Sequence, residues 1–280
     1  MTQTFSRSST QAGQTGQTHT NGEAFDMNDP EATTTPLAEL HADGAVARLV
    51  LNRTDKRNAL SLDLLDALHA RLDDLGAAES VNALVVEGAG RAFCAGMDLK
   101  AVLDEPGAPL ELLTRIAELS IRLRELPAVV VAKVHGAAIG GGCGLAVACD
   151  VCLTHADAKL GFPEVDLGVC PAVVTPWLWA KVGPGRARRV LLQGGTLSGQ
   201  RAYELGIADE CTTREELDGA CGALTGRLAK AGRNALAATK GLLNELDGAA
   251  LREHVRRGAT LSAEVIAGAE AHEKLRAIYG

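Results

Sequence analysis

Two glycine-rich stretches carry the clearest chemical signal in the chain. The first is Gly88-Ala-Gly-Arg-Ala-Phe-Cys-Ala-Gly-Met-Asp-Leu-Lys100. The second is Val134-His-Gly-Ala-Ala-Ile-Gly-Gly-Gly-Cys-Gly-Leu-Ala146. Each follows an apolar, strand-sized run and precedes a helix. Glycine permits the sharp turn that points backbone N–H groups outward and lets a ligand approach closely. A helix N-terminus adds partial positive charge at the same place. Two such turns side by side would converge two N–H donors on one oxygen. That is an oxyanion hole, in which a single donor is worth about 2.7–4 kcal/mol at the transition state. The competing reading is that the glycines only allow helices to pack closely on strands.

Other uses of these glycines fail on spacing. A dinucleotide fingerprint counted from Gly140 needs glycine where Leu145 stands, no Gly-Lys-Ser/Thr closes a phosphate loop, and no Gly-x-Ser-x-Gly elbow occurs. Cys149, Cys152 and His155 lie close in sequence, but no second pair is spaced to complete a zinc site, so they read as buried strand residues.

The elements that must position these turns follow from periodicity. Strands are expected at Val46–Leu51, Ala83–Glu87, Ala128–Val134 and Val151–Thr154. Ser61 caps an expected helix, Leu62–Leu75, with Leu62, Leu65, Leu68, Leu72 and Leu75 on one stripe. A second amphipathic helix, Leu110–Leu126, ends at Pro127. The order strand, glycine turn, helix thus occurs twice. Beyond about residue 172 the pattern is helical, at Val174–Val182, Arg186–Gln193, Ser198–Leu205, Glu215–Ala231, Ala235–Leu246 and Leu251–His272. Thr213 and Glu216 fit a capping box there. The fold class is therefore α/β with a helical C-terminal part.

Of the 280 residues, 46% are hydrophobic and 22% charged, which is globular composition, and the net charge of −7 argues against a general nucleic-acid binder. No run is long enough for a membrane-spanning helix. Residues 1 to about 35 are a Thr/Gln/Ser/Gly segment, expected to be disordered, and Met1–Thr20 lacks the apolar core of a signal peptide. Seven scattered cysteines fit a reducing, cytoplasmic setting.

Four ordered segments carry a resemblance to the crotonase superfamily, the enoyl-CoA hydratases and isomerases. They are Leu51-Asn-Arg-Thr-Asp-Lys-Arg-Asn-Ala-Leu60, Phe93-Cys-Ala-Gly-Met-Asp-Leu99, Gly136–Asp150 and Phe162-Pro-Glu-Val-Asp-Leu-Gly168. The similarity spans about residues 38–280. It implies a spiral of ββα units, with a core over 36–213 and a helical trimerisation region over 214–280, assembled as a homotrimer or hexamer. It implies an acyl-CoA or acyl-carrier-protein thioester as partner. No metal and no cofactor is implied beyond CoA as part of the substrate.

Carried over by position, the oxyanion donors are the N–H groups of Met97 and Gly141, and the general acid/base is Glu164. Lys56, Ala59, Ala95, Lys100 and Gly140 fall at CoA or substrate contacts, and Lys274 near a lysine that reaches CoA in a neighbouring subunit. The hydratases' other glutamate aligns with Gly144, which cannot transfer a proton. Glu164 lies among Leu160, Phe162, Val165 and Leu167, where desolvation would raise its pKa. Asp166 would share its face if the segment were a strand. His135, Gly144, Pro171 and Trp177 are further candidates for the pocket. Trp179, two positions on, would point elsewhere. The segment Leu167–Leu178 resembles a branch that includes 3-methylglutaconyl-CoA-type hydratases. The missing glutamate favours a double-bond isomerase with Glu164 as sole proton shuttle, and the Cys170–Pro176 segment favours a hydratase or dehydratase. A non-catalytic thioester-binding protein is the remaining alternative.

Overall fold

Short apolar runs alternate with glycine turns from Ala83 to Gly161, and the chain answers by laying the strands of that stretch alternately into two sheets. The computed structural model describes residues 35–76, 80–102 and 107–279. The segment expected to be disordered lies outside these residues, apart from its last position. Pro36–Gly280 forms one compact unit.

The strands are β1 (Ala38–Asp43), β2 (Val46–Leu51), β3 (Ala83–Gly88), β4 (Ala92–Cys94), β5 (Val129–Val134), β6 (Ala137–Ile139), β7 (Val151–His155), β8 (Lys159–Gly161), β9 (Thr196–Ser198) and β10 (Glu210–Thr212). The larger sheet has the order β1-β2-β3-β5-β7-β10. Only the β1–β2 pair, which opens it, is antiparallel. The smaller sheet has the order β4-β6-β8-β9, parallel except for its last pair. Each glycine-rich stretch is therefore more than a turn: it holds a three-residue strand, β4 or β6, that crosses to the second sheet.

The helices are α1 (Leu62–Gly76), α2 (Leu99–Val102), α3 (Ala108–Glu125), α4 (Gly141–Ala148), α5 (Thr175–Gln193), α6 (Gly199–Glu204), α7 (Leu217–Ala229), α8 (Arg233–Leu246), α9 (Ala249–Ile266) and α10 (Ala269–Tyr279). The leucine stripe of α1 is buried at Leu64, Leu65, Leu68, Leu72 and Leu75. Leu62 is only half-buried, because it opens the helix beside the Ser61 cap, whose hydroxyl accepts from the Leu64 N–H at 3.3 Å. The Thr213–Glu216 box forms, each residue's N–H donating to the other's side chain at 3.3 Å. Two expectations shift. The stretches Val174–Val182 and Arg186–Gln193 join as α5, bent at Gly183 (φ 77°). The single helix expected over Leu251–His272 is two, α9 and α10, parted at Ala267–Gly268.

Strand alternation divides the core. Leu84 and Val86 of β3 pack into the main core with Leu49, Leu51, Phe93 and Leu112, while Val85 faces a smaller cluster with Val131, Leu153, Leu217 and Cys221 under α7. The C-terminal helices are tied in by a buried charge. Lys240 of α8 donates to Asp150 Oδ2 at 2.7 Å and to the Ala128 carbonyl at 2.9 Å.

Candidate active site

The first site loop is folded around Asn58. Arg57 and Asn58 both adopt left-handed backbone (φ 54° and 57°). The wholly buried Asn58 amide donates to the carbonyls of Ala89, Ala92 and Phe93 at 2.9–3.3 Å, and its oxygen accepts from the Arg53 N–H at 2.9 Å. These bonds fasten the loop to the first glycine turn. Arg53 adds a second tie, donating to Asp98 at 2.7 Å and to the Ala59 carbonyl at 3.0 Å. Leu60 then bridges Met97: its N–H donates to Gly96 O, and its carbonyl accepts from the Asp98 N–H. Both neighbours of the Met97 N–H are thereby engaged, while that N–H itself has no acceptor among the described residues.

The second turn arrives from β6. Gly140 has φ 54° and ψ −122°, a conformation open to glycine. A methyl group there would also stand 2.9 Å from Glu164 Oε1. Gly141 is the first residue of α4, so its N–H has no intrahelical partner. The two turns are adjacent: a methyl group built on Gly141 would lie 3.9 Å from the Met97 nitrogen, and one on Gly96 would lie 3.6 Å from the Gly141 nitrogen.

Met97, Gly141 and Glu164 line one cavity of about 280 Å³. Ala95, Gly140 and Pro171 also line it, together with Leu113, Ile116, Leu167, Val169, Val173 and Val174. Glu164 stands in a 3-10 turn, Pro163–Leu167. Its Oε2 is shut off from solvent and has no partner among the described residues. Burial pushes its carboxyl up to about 7, because removing water penalises the ionised form. Two N–H groups without an acceptor among the described residues and one carboxyl group with a raised pKa therefore line an apolar chamber. That set can hold negative charge on a carbonyl oxygen and move a proton beside it.

Four expected pocket residues lie elsewhere. His135 Nε2 is 3.0 Å from the Gly90 carbonyl, outside the cavity lining. Asp166 belongs to the 3-10 turn rather than a strand, so it does not share a face with Glu164. It is exposed and accepts from the Gly195 N–H at 2.8 Å. Trp177 is a core residue whose indole N–H donates to Ser120 Oγ at 2.9 Å. Gly144 is buried in α4 against Val174: a methyl group there would overlap Val174 Cγ1 and come within 2.9 Å of its Cβ. The place where a second glutamate would stand is thus filled by an aliphatic side chain.

Of the expected thioester contacts outside the cavity, Lys56 and Lys100 are exposed and Ala59 is half-buried. Lys274 is exposed on α10, with Nζ 3.4 Å from Glu270 and its stem passing over Gly168. Among the described residues no group of His, Cys, Asp and Glu forms a metal site, and no helix is long and apolar enough to cross a membrane.

The sequence reading assigned no role to Val174 or Ser262. Ser262, on α9, lines the cavity, donates to the Cys170 carbonyl at 2.7 Å and accepts from the Ala172 N–H at 3.1 Å. Gly258, one turn earlier, presses against the Ala172 carbonyl. So α9 holds the 170–174 segment in place, and with it Val174. A lone serine in a helix carries no signal of that task, and neither does one valine in an apolar run.

The family model of enoyl-CoA hydratase/isomerase matches residues 41–277. The crotonyl-CoA hydratase of Syntrophomonas wolfei is 32% identical over 213 residues, 74% of this chain and 80% of that protein. A Thermus thermophilus chain assigned as an enoyl-CoA hydratase is 34% identical over 240 residues, 84% of this chain and 95% of its own length. The crystal structure of an enoyl-CoA hydratase from Mycobacterium smegmatis superposes with a TM-score of 0.73 at 30% identity, covering 87% of this chain and 96% of that one. The chain belongs to the enoyl-CoA hydratase/isomerase family and has the crotonase fold.

Proposed function

We propose that this protein is an enoyl-CoA hydratase or dehydratase in which Glu164 is the general acid/base and the N–H groups of Met97 and Gly141 form the oxyanion hole. The observation that carries the reading is the meeting of those two unpaired donors with the unpartnered Glu164 oxygen at one apolar cavity. A 2-enoyl thioester enters with its carbonyl oxygen between the two donors. The Glu164 carboxylate takes a proton from water as the water oxygen bonds to C3. The C2=C3 electron pair moves onto the thioester oxygen as an enolate, stabilised by the two N–H dipoles. Glu164 then returns the proton to C2, and the enolate collapses to the 3-hydroxyacyl thioester. Dehydration runs the same steps backwards. Lys56, Ala59, Lys100 and Lys274 are assigned to CoA, the lysines as cations for its phosphates.

A second reading, Δ3,Δ2-enoyl-CoA isomerisation, is favoured by the contact of Val174 with Gly144, which leaves a single carboxyl group at the site. There Glu164 removes a proton from C2 and returns it to C4. Following the conjugated thioester absorbance separates the two: its loss from a 2-enoyl-CoA reports hydration, its appearance from a 3-enoyl-CoA isomerisation. Glu164→Gln abolishes whichever activity is found and leaves saturated acyl-CoA binding intact. A fully active variant removes Glu164 from the mechanism.

A further inference from the structure

The wall of the chamber carries a nucleophile that the proposed reaction leaves unused. Among the described residues lining the cavity, two side chains exchange protons, the Glu164 carboxyl and the Cys170 thiol. Ser262 adds a hydroxyl, but its bonds are committed to the Cys170 carbonyl and the Ala172 N–H. Those bonds pin the backbone from Cys170 to Ala172. The Val169 N–H donates to the Glu164 carbonyl at 2.8 Å, so the residue before Cys170 is tied to Glu164 itself. The thiol is thus held in the wall, near enough to the Glu164 carboxyl to feel its charge.

Cys170 is unlike the other cysteines. Cys94, Cys143, Cys149, Cys152 and Cys221 are buried, and Cys211, though half-buried, lies outside this cavity. Cys170 is half-buried, carries no disulfide and faces the space assigned above to the substrate. Burial raises its thiol above the ordinary cysteine value, so it is protonated near neutral pH and needs a base to react. Glu164 is placed to be that base: its Oε2 is shut off from solvent, has no partner among the described residues, and belongs to the same cavity. Val174 fills the space beside Gly144, so no second carboxyl group stands there to help order a water. A 2-enoyl thioester is electron-poor at C3, and sulfur is intrinsically a strong nucleophile.

We propose that Cys170 is a covalent capture site for 2-enoyl thioesters, competing with water for C3. This rests on the thioester-binding reading above and adds a second outcome at the same site. Cys170 Sγ bonds to C3 as its proton passes to the Glu164 carboxylate. The C2=C3 electron pair moves toward the thioester carbon, and the carbonyl pair onto its oxygen, between the Met97 and Gly141 N–H groups. Glu164 then gives the proton to C2, and the enolate collapses to a 3-thioether that keeps its CoA. Nothing is oxidised and nothing leaves: the adduct is protein plus substrate. Removal of the C2 proton by Glu164 expels the thiol again, so capture acts as a reversible brake when enoyl thioester accumulates.

The test is intact-mass spectrometry of the full chain, incubated with crotonyl-CoA at pH 8 and quenched in acid. The expected product is heavier by the whole mass of crotonyl-CoA, and digestion places the adduct on Cys170. A gain of the crotonyl group alone, with release of CoA, means acyl exchange onto the thiol and overturns the proposal. So does an unchanged mass, or labelling shared equally with Cys211. Butyryl-CoA lacks the electrophilic carbon, so it should add nothing and should slow capture by filling the cavity. Capture unaffected by excess butyryl-CoA overturns a site in this chamber. Cys170→Ser should lose the adduct, and Glu164→Gln should form it at least about tenfold more slowly. Undiminished capture in Glu164→Gln overturns the shared proton path. Capture without hydration or isomerisation of any enoyl-CoA leaves the thiol site standing and removes the proposed reaction. Turnover with Cys170 unmodified does the reverse.

Discussion

Replacing Glu164 with glutamine should make the protein more stable as well as inactive, by an amount set by pH. The carboxyl group titrates near 4.5 when solvated and at about 7 in the fold, because burial disfavours its ionised form and no cation or donor among the described residues compensates its Oε2. The folded state thus keeps its proton over a pH range in which the unfolded chain has lost it. Below about pH 4.5 both states are protonated and the buried group costs nothing electrostatically. As pH rises through 4.5 toward 7, the unfolded state gains by ionising and the folded state does not, so stability falls. Each unit of difference is worth about 1.4 kcal/mol, which makes the full loss roughly 3 kcal/mol above pH 7. Glutamine fills the same space without titrating. Urea unfolding at fixed protein concentration should therefore show Glu164→Gln and the unaltered chain of similar stability near pH 4.5, diverging to a gap of roughly 3 kcal/mol at pH 8. The same shift orders the kinetics: the proposed reaction starts from the carboxylate, so kcat/KM should rise with pH through about 7. A stability gap that is flat with pH, or an activity already on its plateau at pH 5, refutes the desolvated carboxyl group and the chemistry built on it.

Three further perturbations test the frame. Gly144→Ala drives a methyl group into Val174 and should cost about 1–3 kcal/mol, mostly recovered in the Gly144→Ala/Val174→Ala double variant; strict additivity in chemical denaturation would show that the two do not touch. Asn58→Ala strips a donor from two buried carbonyls and one half-buried one and should cost at least about 2 kcal/mol by the same assay, with kcat falling because the Met97 turn loses its anchor; a loss of stability with unchanged kcat would detach the Asn58 knot from the site. Lys240→Ala takes the nearest cation from the half-buried Asp150 carboxylate, leaving it the Val130 N–H at 2.7 Å and the more distant Arg124 at 3.7 Å, and should cost at most about 3–5 kcal/mol, while Lys240→Ala/Asp150→Ala costs less than the single change; calorimetric melting of both decides.

The parts of the site that were legible are those where one residue type has no substitute. Gly140 takes a backbone conformation that excludes side chains, Gly141 opens a helix, and Glu164 is an acid flanked by apolar residues. Such constraints act locally, so four short segments announced the family and pointed to the two turns and the carboxyl group proposed above as hole and acid/base. The short strands β4, β6 and β8 did not announce themselves. Three residues hold no periodicity, and Ala92–Cys94 and Ala137–Ile139 are embedded among glycines, so they read as turns. The break between α9 and α10 was lost for a related reason: helical spacing runs through Gly268, and one glycine in a helical pattern is an ambiguous stop.

What stayed hidden is the shape of the chamber, because it is made by long-range contact. The residue that fills the space beside Gly144 lies 30 positions on, and the serine that holds that segment lies almost 90 beyond it. Neither has an unusual type or spacing, and packing of this kind leaves its trace only when the elements meet. This separation has a chemical meaning. The two N–H groups proposed as oxyanion donors are fixed by backbone within short segments, so they persist wherever the glycines do. The carboxyl count and the depth of the chamber are set by side chains from α4, the 170–174 segment and α9 acting together. A substitution on α9 can thus alter which thioester is accepted while leaving the hole intact. A Ser262→Ala variant should show this as a change in KM across acyl groups at nearly constant kcat for the best of them. If kcat instead falls equally for all acyl groups, α9 shapes the catalytic geometry rather than the choice of substrate.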